Sequence, residues 1–313
     1  LRTIFPRVEG RPRQVVLEDA NPRVTRIVLS GTNASIARIR ENAKELCRHE
    51  ASSGFDLERG PLMRALIIEI SDNESVLMLN MHHIISDGWS VGIFVREFDT
   101  ILEAFAKREE YELQELTLQY ADYAYWERIT LEGTNFAEDR TLYWRNQLLG
   151  VPESIDLPFD FSRTKNGRNR GRSRALMLDQ QKAEKLRTFC RKRNVSVSAA
   201  LLSIFKILLC HYTKQDDLCL GFVTANRSVE VSGLLGAFFN VLPLRTRFSQ
   251  EESFEEVLSS VNEALSDAIG NEISIEKLRR DNSLKAKLNV TFNYLPDIKG
   301  DDFGSNFKRF EYK

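Results

Sequence analysis

The chain has 313 residues, 42% of them hydrophobic and 28% charged, with 44 Lys and Arg against 45 Asp and Glu for a formal net charge of −1. This is ordinary globular composition, long enough for one large domain or two lobes, and its charge balance gives the whole molecule no drive toward nucleic acid or an anionic membrane. Four cysteines (Cys47, Cys190, Cys210 and Cys219) form no CxxC pair or regular framework, so free thiols in a reducing, cytoplasmic setting are expected rather than a disulfide scaffold.

No apolar run approaches the roughly 18 residues of a membrane-spanning helix. The opening LRTIFPRVEG lacks a Met and an apolar h-region, so no signal peptide is expected and the chain reads as the inside of something longer. SIARIRENAKELCRHEAS places Ile36, Ile39, Ala43 and Leu46 at helical spacing. LMRALIIEIS and SVLMLNMHH, separated by the turn-prone SDNES, read as neighbouring strands. In the second, Val76 and Met78 alternate with Leu77 and Leu79, which predicts a central strand covered on both faces. VGIFVREFDTILEAFAKRE reads as a helix with Phe94, Phe98, Ile101, Leu102 and Phe105 on one face.

Residues 156–175 are rich in Gly and polar side chains, and the stretch from Arg163 to Arg174 holds six basic residues and no acidic one. It is read as a connection between an N-terminal lobe, 1–155, and a C-terminal lobe, 176–313. A solvated linker is the preferred reading of its charge, ahead of a docking strip for an acidic partner. Beyond it, SAALLSIFKILLCHYT is an apolar helix and DLCLGFV a strand leading to TANRS. GLLGAFFNVLPLRTRF joins a glycine-rich turn to another strand. Ser253 and Glu256 form a capping box for a helix that presents Phe254, Val257, Leu258, Val261 and Leu265 to a core. In LNVTFNYL, Leu288, Val290 and Phe292 alternate with Asn289, Thr291 and Asn293, as in a half-buried strand. Helices and strands mix through both halves, so the expected class is α/β layers in two lobes.

The chemistry concentrates in NMHHIISDGWS, residues 80–90, which holds half of the four histidines. Adjacent residues on a strand face opposite ways, so His82 and His83 cannot share one task if both are extended. A zinc site needs three or four converging ligands, and no second His/Cys cluster supplies them, so no metal is expected. An imidazole titrates near neutrality and suits a general base. Aspartate followed by glycine suits a tight turn, and a buried aspartate requires a cationic partner.

His82-His83-Ile84-Ile85-Ser86-Asp87-Gly88 reads HHxxxDG, followed by Trp89-Ser90, and resembles the signature of condensation domains of nonribosomal peptide synthetases. LRTIF at the start, FDLERGPLMRA from Phe55, YADYAYWER from Tyr120, YWRNQL from Tyr143, DLPFD from Asp156, ANRS from Ala225, LLGAFFNVLPLR from Leu234 and VTFNYL from Val290 resemble further family segments, in family order. The resemblance implies two chloramphenicol acetyltransferase-like lobes in a V-shaped pseudo-dimer, with the active site at their interface and this chain truncated at both ends. It implies amide-bond formation between substrates carried as thioesters on 4'-phosphopantetheine, with no cofactor bound by the domain itself. The implied partners are upstream and downstream peptidyl carrier proteins and an adjacent adenylation domain.

On that resemblance His83 is the catalytic candidate, as proton acceptor or as a positioning group for the attacking amine. His82 is assigned to packing, Asp87 to a pair with Arg227 that holds the loop, and Gly88 to backbone geometry. Trp89 and Asn240 are substrate-tunnel candidates, with core packing preferred for Trp89 and turn capping for Asn240. NEISIEKL departs from the family's HQDxPFE, with Asn271 and Ile273 where His and Asp are expected. An HxxxD-type acyl-CoA-dependent acyltransferase, an epimerisation domain and a non-catalytic condensation-like module are the alternatives.

Overall fold

A computed structural model describes residues 1–31, 34–131, 134–160, 171–249 and 251–295. The described chain divides into two compact units, each mixing helices with a small sheet. The first comprises Leu1–Tyr123 and Arg227–Phe238, the second Ala124–Asn226 and Phe239–Leu295. This division differs from the one read from the sequence: it falls at Tyr123 rather than at 155, and a segment from the second half of the chain returns to the first unit. The reason is topological, because Arg227–Phe238 finds its packing partners on elements more than a hundred residues earlier. Residues 161–170, half of the expected 156–175 connection and four of the six residues of its basic run, lie outside the described residues.

The first unit opens with two short ladders, β1 (Thr3–Ile4) with β4 (Val15–Val16) and β2 (Arg7–Val8) with β3 (Arg11–Pro12). Its main sheet has the order β5-β6-β7, from β5 (Arg23–Val28), β6 (Met63–Ser71) and β7 (Glu74–Met81). β5 runs parallel to β6 and β7 antiparallel to it. Among the described residues β6 is therefore the central strand and β7 lies at the sheet edge, whereas its unbroken apolar run predicts a central position. An edge strand can carry such a run when nearby segments cover it: Met78 packs on one cluster, Leu79 and Met81 on another. Helix α1 (Ile36–Ser52), capped by Ser35, buries Ile39, Ala43 and Cys47 against Leu66, Ile68, Ile70 and Val76 of the sheet. Cys47 occupies that face in place of the expected Leu46, which packs beside it, while Ile36 is exposed.

Helix α2 (Gly88–Lys107) starts at the glycine of the DG pair, earlier than its apolar run suggests. It buries Ser90, Ile93 and Ala104, and leaves Phe105 82% exposed and Leu102 37% exposed. The aromatic stripe expected to be its core face is thus covered only in part: Phe94 packs near Leu62 and Ile85, whereas Phe105 is exposed.

The second unit holds α3 from Ala124 onward (the helix spans Tyr120–Leu131), α4 (Asn135–Gln147), α5 (Gln180–Arg193), α6 (Val197–Thr213), α7 (Phe254–Gly270) and α8 (Ile275–Arg280). Its sheet has the order β10-β8-β9, from β8 (Asp217–Thr224), β9 (Asn240–Arg247) and β10 (Thr291–Phe292). β8 and β9 are antiparallel and β10 runs parallel to β8. The expected strand over LNVTFNYL is laddered only at two residues, though Leu288, Val290 and Phe292 do turn toward the core. Leu202 and Leu209 of α6 and Val257, Val261 and Leu265 of α7 close over Leu218, Leu220, Leu242 and Leu244. The capping box at α7 forms as Ser253 and Glu256 predict. No single helix among the described residues is long and apolar enough to cross a membrane.

Candidate active site

Strand β7 ends at Met81, and His82–Ile85 form a turn rather than its continuation. The two histidines are therefore not opposed on a strand. His82 is fixed at three points: its N–H donates to Leu62 O at 2.9 Å, its carbonyl accepts from Ile85 N at 3.1 Å, and its ring Nδ1 accepts from Ile84 N at 3.0 Å. Its ring stands perpendicular to Phe55, centroids 5.7 Å apart. His83 follows in the same turn and is exposed. The imidazole is reachable, as a proton acceptor requires.

Below the turn the chain locks. Ile85 packs with Leu62 and Met63, and Ser86 and Asp87 are buried. Asp87 is the N-cap of α2: its Oδ1 accepts from Ser90 N at 2.8 Å, and its own N–H donates back to Ser90 Oγ at 3.3 Å, completing a capping box. This is a better use of the DG pair than a tight turn. The aspartate sits at the positive end of the helix, and Gly88 becomes the helix's first residue.

Arg227 meets the same carboxylate. Its Nη2 lies 3.0 Å from both Asp87 oxygens, and the two side chains are 2% and 5% exposed. Nη1 donates to Val231 O at 3.1 Å and Leu234 O at 2.7 Å, so one guanidinium also closes the loop that carries it. Phe238 N donates to Asp87 Oδ2 at 3.2 Å, and the Phe238 ring lies 4.0 Å beneath the guanidinium. Burial pulls Arg227 below the usual arginine value, and Asp87 opposes that shift. A buried pair so well supplied with hydrogen bonds fixes geometry more than it adds stability.

Ser90, fully buried, is the second centre of this network. Its hydroxyl accepts from Arg227 Nη2 and Gly236 N, both at 3.1 Å, and can donate to Asp87 Oδ1 at 2.8 Å or Gly236 O at 2.9 Å. Tyr120 donates its hydroxyl to Ala237 O at 2.9 Å and packs its ring edge-on against Phe238. A Cβ on Gly236 would land inside the Tyr120 ring, so glycine is there for close approach. Ser90, Tyr120, Gly236 and Phe238 lie in the family-like segments, but the sequence assigns none of them a role. Asp-x-x-Ser before a helical run is a capping signal that points to Ser90, whereas no local pattern announces the other three.

Trp89 is 47% exposed and its indole N–H donates to Ser232 O at 2.9 Å, so the preferred core-packing reading gives way to a surface position. Asn240 lies in the second unit, opposite Thr224 on the last rung of the β8–β9 ladder. Its amide donates to Glu272 Oε1 at 3.2 Å and Ile273 O at 2.9 Å, and its Oδ1 accepts from Val241 N at 2.9 Å, so both amide protons are taken up inside the protein. Glu272 also accepts from the Thr224 hydroxyl, and burial raises its pKa against the pull of those hydrogen bonds and of Arg140. Among the described residues no group of three His, Cys, Asp or Glu side chains is placed to hold a metal ion.

A family model described as "Condensation domain" matches residues 1–309. A linear gramicidin synthase polypeptide of Brevibacillus parabrevis is 36% identical over 293 residues, which are 93% of this chain and 6% of that protein. Malpinin synthetase of Mortierella alpina is 34% identical over 262 residues, 83% of this chain and 3% of that protein. The chain thus spans a small part of the length of these relatives. Among solved structures, the X-domain from teicoplanin biosynthesis superposes with a TM-score of 0.78 at 26% identity, covering 92% of this chain and 63% of that one. The first condensation domain of the CDA synthetase superposes with a TM-score of 0.77 at 20% identity, covering 97% and 72%, a likeness of fold.

Proposed function

The chain belongs to the condensation domain family, and we propose that it forms an amide bond between two carrier-bound thioesters, with His83 as its central group. The α-amine of the downstream aminoacyl thioester attacks the carbonyl of the upstream acyl or peptidyl thioester. The C–N bond forms, the C–S bond breaks, and the upstream phosphopantetheine leaves as a thiol. The amine's surplus proton passes to the imidazole of His83 and from there to the departing sulfur. Asp87 and Arg227, both buried and paired to each other, hold the loop and do not touch substrate. The partners on this reading are the upstream and downstream carrier proteins and a neighbouring adenylation domain, in the cytoplasm.

The observation that carries the reading is the contrast within one seven-residue segment: His83 is exposed and Asp87 is buried. Mixing the protein with both loaded carrier proteins and weighing the downstream carrier by mass spectrometry tests it. A condensed product is expected, and His83→Ala should reduce its rate about 10²–10⁴-fold. A His83→Ala protein as fast as wild type removes the residue from the chemistry. Acceptance of an acyl-CoA donor in place of the carrier-bound one would favour the acyltransferase alternative.

A further inference from the structure

The ring of His82, the neighbour of His83, meets groups from outside the HHxxxDG segment. Arg64 and Asn80 are register partners on β6 and β7, one rung short of the strand end. Arg64 donates from Nε to Glu50 Oε1 at 2.5 Å, from Nη1 to Gly54 O at 2.9 Å and from Nη2 to Ser53 O at 3.0 Å. Asn80 Nδ2 donates to Glu50 O at 2.9 Å, so both strands are tied to the C-terminal end of α1. The guanidinium lies 4.0 Å above the Phe55 ring, and Phe55 in turn meets His82 at 87°. Perpendicular ring contacts and cation–ring stacking are directional, so each ring in this series limits the rotation of the next. The last member, His82, accepts the Ile84 N–H at Nδ1. That bond requires a free Nδ1 lone pair, hence the Nε2-protonated form of the neutral ring.

We propose that Phe55 and Arg64 are positioning residues for His83: they fix the ring angle and tautomer of His82, and His82 closes the turn from which His83 projects. The proposal rests on the catalytic reading of His83, but its first measurement does not. With only four histidines in the chain, protein labelled with ¹⁵N-histidine gives four imidazole patterns, assigned through His82→Gln and His83→Gln. The wild type should show His82 protonated at Nε2 alone. Phe55→Leu and Arg64→Met should convert it to a mixture of tautomers, move the His83 signals, and lower turnover per folded molecule about tenfold or more with the KM for either carrier unchanged, as a displaced reacting group does. Phe55→Tyr, which keeps the ring, should restore the tautomer and most of the turnover.

His82 found protonated at Nδ1 in the wild type overturns the proposal. So does a variant in which tautomer and turnover change independently, or one that loses only melting temperature while turnover per folded molecule stays at the wild-type level. Should the wild type form no amide while the His82 tautomer still follows the Phe55 ring, the catalytic reading fails and the positioning of His83 by this series stands.

Discussion

At the scale of single residues, the site is a study in how one carboxylate is satisfied. Asp87 accepts from a backbone N–H of its own helix, from Arg227 and from Phe238 N. Replacing it by alanine strands a guanidinium that is 2% exposed, which typically costs about 3–5 kcal/mol. Urea unfolding of Asp87→Ala should show that loss, and activity should fall with it; an inactive protein of wild-type stability would instead place the carboxylate in the chemistry. Asp87→Asn keeps the cap but removes the charge, and should fall between the two. Gly236→Ala has no outlet, because the new methyl meets the Tyr120 ring and the Phe238 ring. It should destabilise by about 1–3 kcal/mol through overpacking, and Tyr120→Ala in the same chain should recover part of that loss, a coupling that a double-mutant cycle measures.

Elements raise a different question, because the second unit buries a lysine between α6 and β9. Lys206 is fully enclosed, donates to Leu244 O at 3.0 Å and to the Thr246 hydroxyl, and burial pulls its pKa down to about 7. An unfolded chain keeps that lysine protonated up to about pH 10.4, so between pH 7 and that value the unfolded state binds more protons than the folded one. Stability therefore rises with pH across this window, by at most about 1.4 kcal/mol per unit. From about pH 9 the effect is opposed by Cys219, whose thiol burial pushes up to about 12, so that the unfolded state loses that proton first. The urea midpoint should climb from pH 7 to 9 in the wild type, and Lys206→Met should flatten it. A wild type with a flat profile would mean that the buried amine keeps its proton. Helix ends behave more simply: Ser253→Ala removes the cap of α7 and should cost about 1 kcal/mol by thermal or urea unfolding.

For the molecule as a whole, the decisive feature is the return of Arg227–Phe238 to the first unit. One cluster of the first unit depends on it, since Val231, Leu234 and Phe238 supply its buried side chains against Tyr120 and Tyr123. A fragment ending at 155 should therefore lack a cooperative unfolding transition, while the full chain shows one. A cooperatively folded fragment, by circular dichroism and urea titration, would mean that the returning segment adds function without adding stability. The same topology explains why the sequence was legible in its elements and not in its boundaries. Apolar spacing located α1, α6 and α7 to within a few residues, and the Ser253–Glu256 pair marked a helix start, because both signals are local. The same kind of pattern predicts a central β7, yet among the described residues β7 pairs with β6 alone, since which strand lies beside which is settled by partners distant in the chain.

The sequence by itself determined the class of elements, the family, and the residue types at the HHxxxDG segment, because periodicity, capping and motif order act over a few neighbouring side chains. Tertiary structure alone decided that the histidines occupy a turn, that Asp87 serves as a helix cap as well as an ion-pair partner, and that Ser90, Tyr120, Gly236 and Phe238 complete the polar lock. It also decided that Phe55 and Arg64 stand behind His82. The physical reason is that a buried charge or a directed ring contact is satisfied by groups that folding brings close; for Arg227, Gly236 and Phe238 those partners lie more than a hundred residues earlier, and such closeness leaves no local trace in the order of the amino acids.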